Sequence, residues 1–263
     1  MPITAQQVID RIKAQVGVPW AEETVDTIKA GDAHTKVTGV TATMFATMEV
    51  LRKSAEAGNN LIICHEPTFY SHLDELAPLE KDEVQQTKLA YIRKHKLVVF
   101  RFHDHIHRMK PDGIVAGVAE ALGWQKRERA DDPAVFDVEP TKLGKLAKLL
   151  KKKLDAHALR FVGDADLVCS RVALSVGAGG SSGEIAKLQR DDIDVLLCGE
   201  TREWETVEYV HDAAQSGKKK GLIVLGHVPS EQAGMEWCAR WLSKFVTEVP
   251  VKFIPSGDPF TTP

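Results

Sequence analysis

Cysteine is scarce and scattered: the 263 residues hold four, Cys64, Cys169, Cys198 and Cys238, and no two form a CxxC pair. That spacing argues against a disulfide framework and excludes a cysteine-type zinc site or an iron–sulfur cluster. Three of the four sit inside apolar, strand-like runs, where a small buried thiol is the simpler reading. Long hydrophobic runs are also missing, and none approaches the ~20 residues needed to cross a bilayer. The opening MPITAQQVIDRIKAQVG lacks the uninterrupted apolar stretch and small-residue cleavage site of a signal peptide, and it reads as an amphipathic helix. Neither sign of charge dominates, with 34 Lys and Arg against 37 Asp and Glu and a net charge of −3. Nothing in that balance points to nucleic acid or an anionic membrane as partner. We expect a cytoplasmic protein without a membrane segment. A Walker A loop and a GxGxxG fingerprint are absent as well.

What is present is an alternation. Apolar, β-branched runs recur at VTGVTAT 37–43, NLIICH 60–65, LVVFRFH 97–103, RVALSVG 171–177, DVLLCGE 194–200 and GLIVLGH 221–227. Between them lie amphipathic stretches of helical length, such as ATMEVLRKSAEAG, VQQTKLAYIRKHK, GIVAGVAEALGW and EQAGMEWCARWLSKF. Strands alternating with helices imply an α/β fold with strands buried on both faces. Residues 37–65 and 171–227 each carry a strand, a helix and a later strand ending in histidine. The expected fold is therefore two similar α/β lobes with mixed sheets facing a shared metal-binding cleft. An N-terminal lobe would span 1–130 and a C-terminal lobe 131–263. Within the latter, 131–165 reads as a strand, a basic helix and a strand bridging the lobes. Its Lys151-Lys152-Lys153 run is the solvated face of that helix.

The chemistry gathers at strand ends. Leu61-Ile62-Ile63-Cys64-His65-Glu66-Pro67 is an apolar strand closing in two potential ligands, and Pro67 forces a turn, at the carboxyl edge where open α/β sheets hold ligands. Phe102-His103-Asp104-His105-Ile106-His107 places three imidazoles and a carboxylate within five residues, a costly grouping unless something binds it. In a strand, His103, His105 and His107 would share a face. In a strand-to-turn transition, His103 and His107 would converge while Asp104 or His105 orients one of them. Gly226-His227-Val228-Pro229-Ser230-Glu231 again follows a strand. Ser230 or Pro229 would start the next helix, with Glu231 in its first turn, where the helix dipole alone would also favour an acid.

Any one of these has a bland reading as a structural histidine or a polar surface run. Three strands ending in histidine make coincidence improbable. Histidines with carboxylates suit zinc, iron or manganese, as one or two ions, and make metal-assisted hydrolysis the default chemistry. His65, Glu66, His103, His107, His227 and Glu231 are the candidate ligands, and Asp104 and His105 the candidate orienting or substitute groups. Glu200, ending a strand beside Gly199, and Glu231 are the candidates for handling protons. The loop Gly177-Ala178-Gly179-Gly180-Ser181-Ser182-Gly183-Glu184 is either a tight strand-to-helix turn or a cradle for an anion.

These motifs, in this order over nearly the whole chain, resemble the Nif-three-like dinuclear metal-centre proteins, also known as type 2 GTP cyclohydrolase I-like. Cys64-His65-Glu66-Pro67 is similar to that family's strand ending in His-His-Pro. His103 and His107 resemble a histidine followed four residues later by a bridging aspartate. Gly177 to Gly180 resembles the family's Gly-Ser-Gly-Gly loop, Cys198-Gly199-Glu200 its Thr-Gly-Glu, and Gly226-His227 to Glu231 its Gly-His-x-x-x-Glu. Asp258-Pro259-Phe260 resembles its Asn-Pro-Phe ending. The resemblance implies the short form of a two-lobed fold, a small-molecule substrate and a homo-oligomer, with a hexamer as the family's assembly. Two positions depart: Glu66 stands in place of the second histidine and His107 in place of the bridging aspartate, and a family histidine is replaced near Glu203-Trp204. A carboxylate can bridge two cations, whereas a neutral imidazole binds one. Either Glu66 or Asp104 has taken over bridging, or there is one ion, or a differently arranged pair. The leading expectation is a metal-dependent hydrolase of a small polar, nucleotide-like or heterocyclic substrate. The alternatives are a non-catalytic metal chaperone or ligand-binding adaptor, and a purely structural or protein-interaction role.

Overall fold

Four-residue runs of branched and apolar side chains leave no polar face, so each must be covered on both sides. A computed structural model, describing residues 2–262, shows this done twice. In chain order the elements are α1 (Ala5–Gln15), β1 (Ile28–Ala30), β2 (Val40–Thr43), α2 (Met48–Glu56), β3 (Leu61–Cys64), α3 (Glu83–Lys94), β4 (Val98–Arg101), α4 (Asp104–Arg108), α5 (Gly113–Leu122), β5 (Val135–Lys142), α6 (Leu143–Lys153), β6 (Arg160–Val162), β7 (Val168–Ser175), α7 (Ser181–Gln189), β8 (Val195–Cys198), α8 (Glu208–Gln215), β9 (Gly221–Val224), α9 (His227–Leu242) and β10 (Val251–Phe253). A short 3-10 turn (Ala77–Leu79) and a π turn (Glu203–Val207) complete them. Among the described residues no helix is long and apolar enough to cross a membrane.

The chain divides into two units, one of the residues up to Ile114 with Gly234–Ser256, the other of Val115–Ala233 with those from Gly257 onward. In the first, the sheet order is β1-β4-β3-β2-β10, with β1 antiparallel to β4 and the other neighbours parallel. β2, β3 and β4 are buried at every position. Ile62, Cys64 and Val99 pack with Leu51, Phe69, Leu89 and Ile92, while the alternate residues Leu61, Ile63, Val98 and Phe100 are buried on the opposite face. β10 adds a parallel edge beside β2, through Val251 opposite Val40. That return of the chain has no counterpart in a division of the sequence at residue 130.

The second unit repeats the plan. Its sheet order is β5-β7-β8-β9-β6, parallel across β7, β8 and β9, with both edge strands antiparallel. Val172, Leu174, Val195, Leu197 and Ile223 face one core with Leu146 and Leu150 of α6. Ala173, Leu196, Cys198 and Leu222 face the other with Leu188 and Val210. Residues 131–165 supply the two edge strands and α6, so they are part of this sheet and its core. All four cysteines are free and buried.

Candidate metal centre

In both units the parallel strands point their carboxyl ends at the residues singled out above, the edge of an α/β sheet where backbone groups lack ladder partners and side chains are free to bind. His65 follows β3 directly and is fully buried. Its Nδ1 lies 3.2 Å from the Phe102 carbonyl oxygen. A carbonyl only accepts, so a neutral His65 carries its proton on Nδ1 and its lone pair on Nε2.

β4 passes into α4 through Phe102 and His103, so Asp104–Arg108 is helical where a strand or a turn was expected. His103 caps the helix and His107 lies one turn on, so the two rings stand on one side with centroids 5.1 Å apart. Each is 4.6 Å and 5.0 Å, respectively, from the His65 ring, a nearly equilateral arrangement. His103 Nδ1 lies 3.0 Å from Asp104 Oδ1, and His107 Nδ1 lies 2.9 Å from Asp112 Oδ2. Donor atoms of His65, His103 and His107 all fall within 4.8 Å of one another.

His105 is not brought to this cluster. Its Nδ1 lies 2.6 Å from Asp26 Oδ2 and its Nε2 accepts from the Ala21 amide at 2.9 Å. The ring stacks on Trp20 with centroids 3.6 Å apart. Both nitrogens being engaged, His105 is a structural histidine whose alternation with His103 and His107 reflects helical geometry. Asp26 does more than hold it: Oδ1 accepts from the backbone amides of His103 and Asp104, and Oδ2 from that of His105. This buried acid therefore satisfies the orphan donors that open α4.

Glu66 is mostly buried, with Oε1 3.4 Å from His103 Nε2 and Oε2 3.4 Å from Arg101 Nη2. Arg101, wholly buried, also donates from Nε to the His65 carbonyl and from Nη1 to the His72 carbonyl. Burial works against a charged His103, but the carboxylates of Glu66 and Asp104 outweigh it and raise its pKa above the usual imidazole value. Burial likewise opposes ionisation of Asp104. Hydrogen bonds from His103, Thr24 and the Val25 amide prevail and hold it down at about 2.

In the second unit, α9 starts at His227 itself, two residues earlier than Pro229 would suggest. His227 and Glu231 are thus one turn apart on a single helix face, with Nε2 3.2 Å from Oε2. Glu200, just past β8, places Oε1 2.7 Å from His227 Nδ1, so it orients the imidazole, as carboxylates commonly do for ligating histidines. Glu231 is nearly fully buried and packs against Gly177. A Cβ at Gly177, whose φ is +61°, would lie 2.5 Å from Glu231 Oε1. Ser230 Oγ receives the Gly177 amide at 3.0 Å and fixes the same loop. The Gly-rich stretch is a strand-to-helix turn. Glu184, fully buried in the first turn of α7, accepts from the Thr201 and Thr206 hydroxyls, and its negative charge makes that helix start a poor host for an anion.

Three groups escaped the reading of the sequence. Asp26 and Asp112 lie outside the histidine run and carry no local signature, although Asp112, just after Pro111, also receives the Ile114 amide at the start of α5. Arg101 is a single charged residue in an apolar strand, with nothing beside it in the sequence to mark a role. Taken as metal donors, the three imidazoles of the first unit fit. Each has an oxygen on Nδ1 and so offers Nε2, the arrangement that sets tautomer and ring direction at a metal.

Comparison with known proteins agrees with this fold. A curated protein, "GTP cyclohydrolase 1 type 2 homolog" of Clostridium perfringens, is 25% identical over 215 residues, covering 78% of this chain and 77% of that protein. Among solved structures, the Staphylococcus aureus protein SA1388 superposes with a TM-score of 0.78 at 18% identity, covering all of both chains. A Bacillus cereus protein related to NIF3 gives 0.78 at 17% identity, covering 100% of this chain and 99% of that one. Reduced HcgD from Methanocaldococcus jannaschii gives 0.68 at 15% identity, over 97% and 98% of the two chains. These structural likenesses speak to the fold alone. The family described as Duf34/NIF3 (NGG1p interacting factor 3) matches residues 3–259, essentially the whole chain, and the protein belongs to that family.

Proposed function

We propose that this protein is a metal-dependent hydrolase acting on a small polar substrate of nucleotide-like or heterocyclic kind. The observation that carries the reading is the convergence of His65, His103 and His107, each with Nδ1 against an oxygen. Structural histidines have no need to present three like-oriented nitrogens to one point, since neutral rings gathered so leave lone pairs facing each other. A divalent ion, zinc, iron or manganese, would supply Lewis acidity and an activated water there. Glu66 is a further candidate donor, and His227 with Glu231 forms the donor set of the second unit. Glu200 holds the His227 tautomer, and Glu231 is the buried carboxylate assigned to proton handling. The substrate class takes support from the name of the curated relative. A homo-oligomer, of hexameric form, and a cytoplasmic location complete the proposal.

The test is hydrolysis of a panel of nucleotides, cyclic amides and phosphoesters by the native protein and by His65→Ala and His227→Ala. Activity lost in both variants supports the reading, and activity indifferent to both refutes it. A second reading, a metal carrier without turnover, is favoured by one feature, the imidazole at position 107 in place of a charged ligand. Stoichiometric metal with no hydrolysis across the panel would select it.

A further inference from the structure

We propose that the first unit carries a binding site for an aliphatic carboxylate, a fatty-acid-like anion, in the cavity between the end of β1 and the last turns of α3. The inference goes beyond the proposed function and does not rest on it. The cavity is an open hollow of about 600 Å³, a size ordinary for small-molecule sites. Leu89, Ile92 and Leu97 reach it from the buried core, and Leu76, 39% exposed, meets it at the surface. No aromatic side chain is among its lining residues, so a flat heterocycle has nothing to stack on. An alkyl chain, by contrast, would bury against four aliphatic side chains.

Three cations line the same hollow, Lys29, Arg93 and Lys96, against one acid, Asp32. Arg93 and Lys96 are exposed, and among the described residues neither side chain has a hydrogen-bond or ion-pair partner. The dipole of α3 accounts for cations near its carboxyl end, but not for Lys29, which stands on β1. The Lys29 side chain is only 8% exposed, and its ammonium faces Asp74 Oδ2 at 3.5 Å, an oxygen that also faces the Arg101 guanidinium at 3.6 Å. Asp74 Oδ1 is already filled by the amides of Thr68 and Phe69. One carboxylate is therefore divided between two buried cations, and a largely buried ammonium with part of a partner gains from any further anion that can approach it. The cavity gives that approach. Asp32 disfavours a dianion there, so a carboxylate suits the hollow better than a phosphate monoester, and the planar fork of Arg93 matches its two oxygens.

The experiment titrates the full chain with decanoate by isothermal calorimetry, with decanol, decyl phosphate and acetate as comparison probes and circular dichroism to verify folding of the variants. Decanoate is expected to saturate one site per chain and to bind more weakly as salt rises. Acetate, which lacks the chain, and decanol, which lacks the charge, should each bind at least about tenfold more weakly. Arg93→Glu/Lys96→Glu reverses two exposed charges and Leu76→Glu places a charge on the apolar wall; each should weaken decanoate binding by about tenfold or more. No saturable binding to the native protein, decanol or decyl phosphate binding as tightly as decanoate, or unchanged affinity in folded Arg93→Glu/Lys96→Glu would each overturn the proposal. Unchanged affinity is also what a carboxylate bound at the candidate metal centre would give, so the two sites are told apart.

Discussion

Replacing Asp26 should destabilise the first unit and disturb the histidines that form the candidate metal centre. The carboxylate receives four hydrogen bonds, three from backbone amides at the start of α4 and one from His105 Nδ1, and is almost entirely buried. Asp26→Ala removes every acceptor at once. Each buried donor left unsatisfied costs about 1–3 kcal/mol, less where water or a shifted backbone compensates. A net loss of about 4 kcal/mol is therefore expected, a large share of a typical stability of about 5–15 kcal/mol. Asp26→Asn is the sharper probe because it conserves volume. Its amide hydrogens must confront either the two backbone amides on Oδ1 or the His105 donors on Oδ2. His105 cannot escape by exchanging its proton, since Nε2 would then face the Ala21 amide. About 2–3 kcal/mol should be lost. Urea unfolding followed by tryptophan fluorescence reads this, with Trp20, which stacks on His105, as one of the five reporters. With a slope of about 2.5 kcal/mol per molar, the midpoint should fall by about 1.6 M in Asp26→Ala and 1 M in Asp26→Asn. A shift below about 0.4 M in both variants, or an alanine variant milder than the asparagine one, would refute the reasoning.

Three further perturbations test other parts of the account. Arg101→Met strands the buried carboxylates of Glu66 and Asp74, 3.4 Å and 3.6 Å from the guanidinium, and should cost about 3–5 kcal/mol, part of it recovered in Arg101→Met/Glu66→Leu; denaturation of the pair decides, and a double variant no better than the single one counts against the Glu66 pairing. Gly177→Ala should cost about 1–3 kcal/mol, from a left-handed backbone and from displacing Glu231, with an unchanged melting temperature as the contrary result. Burial pushes the Lys88 ammonium down to about 8, against the raising influence of Cys64 and Asp74. The unfolded chain then binds more protons between pH 8 and about 10.5, so stability should rise across that window by at most about 1.4 kcal/mol per pH unit. Lys88→Met should flatten this, and equal slopes in the two proteins would show that Lys88 is not responsible.

Much of the fold was written in local pattern, and what was not depended on distant partners. β3, β4, β8 and β9 are legible because sheets covered on both faces demand uninterrupted apolar runs, and those runs end where the candidate site residues begin. β10 is three residues long with an exposed centre, so no periodicity marks it, and its place depends on pairing with β2, more than 200 residues earlier in the chain. Within the HDHIH run, composition signalled a site but could not divide the labour. His105 is separated from His103 and His107 by where its ring lands, against Trp20 and Asp26, and both partners lie roughly 80 residues upstream. Glu231 was legible as an acid following a histidine. Its helical register was not, because Pro229 suggested a later start than α9 takes.

The passage of β4 into α4 bears on how this stretch of chain can change over time. His103 and His107 converge because they are one helical turn apart, and Asp104 and Asp112, which direct them, lie in the same ten-residue span. Deleting one residue between the two histidines would swing His107 by about 100° around the helix axis. It would also part that ring from Asp112, which is tied to the start of α5. Length is therefore locked from 103 to 112, and drift there must proceed by exchange of side chains at fixed positions. The side chain at position 107 can change its chemical type while the spacing that presents it stays the same.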